Sequence, residues 1–109
     1  MKFKTVPAMS GIQFSVVGFG CWGISGGDVW NNTVDEDSIK TVQKAVDLGV
    51  NFFDVAPIYG MGHAEEILGK ALKGRRESVL VASKCGLVWD DRKNVTINLT
   101  AASIHQEID

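Results

Sequence analysis

The sequence predicts a parallel α/β protein, and three observations carry that expectation. Short β-branched or aromatic runs alternate with longer segments whose apolar residues recur at helical spacing. The runs Val50–Phe53 and Val79–Ala82 are uniformly apolar, as strands covered on both faces are. Gly49 and Gly74 each stop a helix shortly before one of those runs.

Taken in order, Lys2–Val6 and Ile12–Val17 read as β-type runs joined by the turn-rich Pro7-Ala8-Met9-Ser10-Gly11, which predicts a hairpin. The second run continues through Val16-Val17-Gly18-Phe19-Gly20-Cys21-Trp22. It reads as a core strand opening into a glycine-rich loop, Gly23–Asp28, with Trp30 beyond it. Asp35 has the chemistry of an N-cap, and Glu36 and Asp37 suit the positive end of a helix dipole. Ile39, Val42 and Val46 then share one helical face.

The second helix has the clearest pattern. Ala64, Ile67, Leu68, Ala71 and Leu72 form one stripe, opposite Glu65, Glu66, Lys70 and Lys73, with Glu66 and Lys70 well placed to pair. Gly69 within it costs about 1 kcal/mol relative to alanine, so a neighbouring backbone is expected close by. After Val79–Ala82, Lys84 stands at the strand exit. A long polar connection, Asp90 to Asn98, leads to Thr100, which caps a third helix from near Ala101 to Asp109.

Composition excludes several functions. In 109 residues, a net charge of −2 and a pI near 5.6 leave no basic field for nucleic acid or an anionic membrane. No apolar run approaches the roughly 20 residues that cross a bilayer. Cys21 and Cys85 are too few and too far apart for a metal cluster or a disulfide framework, and read as free thiols in a reducing cytoplasm. Asn31, Asn94 and Asn98 start N-x-Ser/Thr triplets that would matter only in a secreted protein, and the start Met-Lys-Phe-Lys lacks an export stretch.

Right-handed crossovers place three strand ends side by side, and those ends carry Trp22, Asp54 and Lys84. Ligands of parallel α/β folds sit at strand C-termini. Each residue has an ordinary role when taken alone: Asp54 capping a turn, Lys84 in solvent, Tyr59 packed beside Pro57. Together they form a proton-donating device. A phenol donates poorly at neutral pH until a nearby ammonium stabilises its phenolate, and a lysine at an apolar mouth keeps its charge when a carboxylate holds it. Such a set can protonate a carbonyl oxygen while hydride reaches its carbon.

The stretches Gly18-Phe19-Gly20-Cys21-Trp22, Asn51-Phe52-Phe53-Asp54-Val55-Ala56 with Ile58-Tyr59-Gly60, Ala64-Glu65-Glu66-Ile67-Leu68-Gly69 and Ala82-Ser83-Lys84 together resemble the aldo-keto reductases, from Val17 to the last residue. The resemblance implies that residues 1–109 are the N-terminal part of a (β/α)8 TIM barrel, a hairpin plus about three β/α units, with a β-hairpin closing the bottom and the chain cut before the fourth strand. It implies reduction of aldehydes or ketones with NADPH or NADH, with Asp54, Tyr59 and Lys84 catalytic. Gly20, Cys21, Trp22 and Asp54 are implied cofactor contacts. Trp22, Trp30 and Trp89 are the candidate substrate-pocket residues.

The family's fourth catalytic residue, a histidine on the fourth strand, has no counterpart here. His105 lies on the helix side, and His63 is expected as a surface or capping residue. Ser83 replaces the usual threonine before the lysine, and Cys85 is expected to be small and buried. A barrel of about 250 residues and eight strands is far from complete, so the chain is expected to be inactive alone, or completed by a second chain. The alternative is a non-catalytic, nucleotide-sensing or regulatory member of the same fold. An unrelated barrel isomerase is disfavoured, since nothing resembles a phosphate loop.

Overall fold

The computed structural model describes residues 1–9, 11–27, 30 and 32–108. Ser10, Asp28, Asn31 and Asp109, which fall in the expected hairpin connection, glycine-rich loop, first N-x-Thr triplet and third-helix end, lie outside the described residues.

Strands β1 (Phe3–Thr5) and β2 (Gln13–Ser15) form the expected antiparallel hairpin, with Phe3 opposite Ser15. Three strands, β3 (Phe19–Gly20), β4 (Phe52–Asp54) and β5 (Leu80–Ala82), form one parallel sheet in that order. Helices α1 (Asp35–Asp47) and α2 (His63–Ala71) are the crossovers between them. Beyond β5, strands β6 (Leu87–Trp89) and β7 (Val95–Ile97) pair antiparallel, and α3 (Ala101–Ile108) follows.

Register decides which way each strand residue faces. Phe19, Phe53 and Val81 are aligned across the sheet, and Gly20, Asp54 and Ala82 form the next row. Successive side chains alternate between faces, so the Phe53 row turns toward the helices and the Asp54 row toward the opposite side. Phe53, Val42, Ile67, Val55 and Cys21 are the largest fully buried side chains, each worth about 1.5–3 kcal/mol of burial for the larger aliphatics and phenylalanine. Phe19 packs on Phe53 with ring centroids 5.5 Å apart. On the opposite face, Phe14 of the hairpin meets Phe52 edge-on at 5.5 Å. Asn51 fastens the hairpin to the start of β4: its side chain accepts from Ser15 N at 2.7 Å and donates to Gln13 O at 2.8 Å.

Helix α1 ends as Gly49 predicts. With Gly49 at φ +89°, its N–H donates to Val46 O at 2.9 Å and Val50 N–H to Ala45 O at 3.0 Å, the two bonds of a Schellman closure. Helix α2 and its C-cap residue Leu72 bury all five residues of the predicted stripe, and the Glu66–Lys70 pair forms at 3.8 Å. Thr100 caps α3, its hydroxyl accepting from Ser103 N at 3.4 Å.

Several expectations are corrected. The strand before the glycine-rich loop is only Phe19–Gly20; Val16 and Val17 are exposed, and Cys21–Ile24 coil into a 3-10 turn. Asp35 is the first helical residue and its carboxylate meets His63 Nε2 at 2.9 Å, while Val34 holds the cap position and has no polar side chain to bond the helix end. Among the described residues no neighbouring backbone approaches Gly69, where an added Cβ would meet nothing within 4 Å. The polar connection after Lys84 is largely the β6–β7 hairpin. Its turn is closed by Asp90, whose Oδ1 accepts the Arg92 and Asn94 N–H groups at 2.9 Å. The Asn94 side-chain amide, which donates to Asp90 Oδ2 at 2.8 Å, and after it those backbone bonds hold the Asp90 carboxyl below its usual range.

Candidate active site

The C-terminal edge of the parallel sheet gathers the predicted polar residues. Asp54 ends β4, and Lys84 leaves two residues past the end of β5, on the same face as Ala82 and therefore as Asp54. Lys84 Nζ donates to Asp54 Oδ1 at 2.7 Å and to Val55 O at 3.0 Å. The same ammonium lies 4.9 Å from the centroid of the Tyr59 ring, within cation–π range. Partial desolvation works against the charge on Lys84, but the hydrogen bond and charge of Asp54, with Tyr59, outweigh it, and the Lys84 pKa lies above the usual lysine value. The aspartate thus favours the charged form of the lysine.

Tyr59 reaches this point through a tight turn. Its N–H donates to Ala56 O at 3.0 Å, its carbonyl accepts from Ala64 N at 3.1 Å, and Gly62 N–H donates to Pro57 O at 2.7 Å. Gly60 has φ +66°, and a Cβ there would overlap the Ser25 carbonyl oxygen. The Tyr59 turn is therefore pressed against the loop that follows β3, which only glycine permits. His63 opens α2 as expected and accounts for the neighbouring end of α1: its Nε2 is 2.9 Å from Asp35 Oδ1.

The candidate cofactor residues separate into two groups. Gly20 is exposed in the Asp54 row, where an added Cβ would meet nothing within 4 Å among the described residues, and Trp22 is 52 % exposed. Cys21 is not available beside them. The 3-10 turn Cys21–Ile24 places it under the helices, where it is 0 % exposed, and burial, with the charge of Asp54, pushes its thiol up to about 12. An open, side-chain-free shelf beside Asp54 and an exposed indole fits a flat aromatic ring such as nicotinamide.

Trp22 and Trp30 pack edge-on, centroids 5.9 Å apart, and both are exposed. Trp89 is not in ring contact with either among the described residues. The β6–β7 hairpin carries it to a cavity of about 500 Å³ that it lines with Pro57, Glu65, Asn98 and Glu107. A smaller cavity of about 260 Å³ adjoins Tyr59 and Lys84, with walls of Pro57, Ile58, Cys85 and Leu87. Sequence reasoning missed Ile58 and Leu87, although each lies within three residues of a predicted site residue. Cys85 is exposed, not buried as expected, because it follows the lysine out of the strand.

A parallel β/α sheet with its polar cluster at the strand C-termini, and a hairpin across the other end, is the architecture of the first units of a (β/α)8 barrel. The chain belongs to the aldo/keto reductase family, whose model matches residues 16–109. It is similar to an aldo-keto reductase, YhdN, of Bacillus subtilis (43 % identical over 95 residues, covering 85 % of this chain and 28 % of that protein). It is also similar to an NADH-specific methylglyoxal reductase of Escherichia coli (37 % over 117 residues, covering 96 % of this chain and 36 % of that protein). The solved holo structure of the aldo-keto reductase AKR11C1 from Bacillus halodurans superposes with a TM-score of 0.83 at 29 % identity, over 97 % of this chain and 33 % of that one. The chain thus spans about a third of the length of the relatives it matches.

Proposed function

We propose that this chain supplies the proton-donating side of an NAD(P)H-dependent reductase of aldehydes or ketones. The observation that carries the reading is Lys84, bonded to Asp54 at 2.7 Å while its ammonium sits 4.9 Å from the Tyr59 ring centroid. Tyr59 gives its phenolic proton to the carbonyl oxygen. The Lys84 ammonium offsets the charge left on the phenolate, and Asp54, with the Val55 carbonyl, holds that ammonium in place. Gly20 and Trp22 would hold the nicotinamide ring, which when bound supplies the hydride. The apolar walls at Ile58 and Leu87 exclude water and receive the carbon side of the substrate. The methylglyoxal reductase and the holo structure among the relatives support this chemistry.

The relatives are about three times as long as this chain, so turnover is expected when the remaining barrel strands are present, on the same chain or a second one. The test is NADPH and NADH oxidation with a simple aromatic aldehyde, for the chain alone and for the chain joined to the last two thirds of the Bacillus subtilis relative. The joined protein turns over, and Tyr59→Phe lowers kcat by about 100-fold or more, within the range of general acid contributions. Equal rates for the joined protein with and without the Tyr59→Phe substitution would remove the tyrosine from the acid role. A robust rate from the chain alone would overturn the requirement for the remaining strands.

A further inference from the structure

The strand exit that presents Lys84 is held from two helices at once. Parity turns Ser83 away from the Asp54 face and toward α2, where its hydroxyl donates to Glu65 Oε1 at 2.9 Å. Two residues past the lysine, the N–H of the buried Gly86 donates to both oxygens of the Glu107 carboxylate on α3, at 3.2 and 3.0 Å. Ser103 Oγ donates to the same carboxylate at 3.4 Å, fixing its orientation. Gly86 adopts φ +95°, and a Cβ there would overlap the Leu99 side chain, so the backbone turns sharply where Glu107 grips it.

Between these two attachments Lys84 leaves toward the other face. Its side chain is 47 % exposed, so packing alone does not fix it. A long lysine stem has many rotamers, and bridging an aspartate while lying against a phenol requires its Cα to stay put. The hydrogen bonds to Ser83 and Gly86 involve ionised acceptors, the stronger class of such bonds. Neither glutamate is among the hydrogen-bond partners of Asp54 or Lys84 in the described residues.

We propose that Glu65 and Glu107 are positioning residues for Lys84, pinning the backbone on either side of it so that its ammonium stays on Asp54 and Tyr59. The inference rests on the role given to Lys84 above, but its test does not use turnover. Limiting acetic anhydride labels lysines according to how free their amines are, and mass spectrometry reads each site separately. In the unaltered protein Lys84 reacts more slowly than Lys70 and Lys73, which serve as internal references, and Asp54→Asn gives the rate of a released Lys84. Glu107→Leu and Ser83→Ala are expected to raise Lys84 labelling about fivefold toward that released rate, leaving Lys70 and Lys73 unchanged. Glu65→Gln and Glu107→Gln, which keep an acceptor oxygen, are expected to stay within twofold of the unaltered protein.

An unchanged Lys84 rate in Ser83→Ala and Glu107→Leu overturns the proposal, as does release by the Gln variants equal to that by Leu. Should Glu107→Leu unfold, all lysines speed up together, and Ser83→Ala with the Gln pair decides. Failure of the reductase reading would appear separately, as turnover that survives Tyr59→Phe while the labelling pattern holds.

Discussion

Gly60→Ala tests whether the turn bearing Tyr59 is held by its contact with the Ser25 loop. Two terms add. Gly60 has φ +66°, and placing a Cβ in the left-handed region costs about 1–2 kcal/mol. The new Cβ also overlaps the Ser25 carbonyl oxygen, a backbone atom that has no rotamer to change, and relieving such overpacking costs about 1–3 kcal/mol. The sum centres on about 3.5 kcal/mol. With a urea slope of about 2 kcal/mol per M, the midpoint falls by about 1.8 M, read by tryptophan fluorescence. Gly69→Ala is the matched control. Gly69 lies inside α2 with nothing within 4 Å of an added Cβ, so alanine gains about 1 kcal/mol of helix propensity and raises the midpoint by about 0.5 M. Opposite signs are required. A Gly60→Ala midpoint equal to that of the unaltered protein, or two variants that fall together, would refute the reasoning.

The two thiols should separate by access: Ellman's reagent labels exposed Cys85 at once and reaches the fully buried Cys21 only on unfolding. Stability should fall in alkali. Between 9.0 and about 12 the unfolded Cys21 thiol releases a proton that the folded one keeps, removing about 1.4 kcal/mol per pH unit. Lys84, whose value is raised above 10.5, acts the same way, its contribution present below that value and lost as pH rises through the folded one. Urea midpoints measured upward from neutrality check this, and Cys21→Ala should flatten the first part of the decline. Ile67→Val, at a fully buried site, should cost about 1 kcal/mol. By contrast Ile97→Val, 76 % exposed, should stay within about 0.5 kcal/mol. In the joined protein Lys84→Met should lower kcat by about 100-fold with cofactor affinity changed only a few-fold, measured by steady-state kinetics; equal losses in both would make the lysine a binding residue instead.

Where packing alone decides the structure, the residues are readable in advance. The stripe Ala64, Ile67, Leu68, Ala71 and Leu72 is buried as its spacing predicts, since an amphipathic helix has one way to hide it. Gly49 is likewise legible, because its closure involves only local bonds. One misreading comes where a distant partner is involved. Asp35 has cap chemistry, but it is the first helical residue and its carboxylate meets His63, 28 residues away. Gly69 is a misreading of another kind: it reads as a point of close approach, yet among the described residues nothing stands within 4 Å of an added Cβ. For the β6–β7 hairpin the signal was present: Leu87-Val88-Trp89 and Val95-Thr96-Ile97 flank a turn rich in Asp and Asn, with Lys93 at φ +64°. The meeting of Asp54 with Lys84 follows from strand order and register, while Trp89 followed the hairpin elsewhere, which no local pattern reveals.

The alternation along β5 also limits how this segment can change by inheritance. Deleting one residue between positions 79 and 83 would exchange the directions of Ser83 and Lys84, sending the amine beneath α2 and the hydroxyl to Asp54. Single-residue gains or losses are expected to cost less in the exposed bend from Asp90 to Asn94, where they break only the local Asp90 bonds, than in the stretch that leads to the lysine. A length difference among descendants of this sequence should fall in the first place and spare the second.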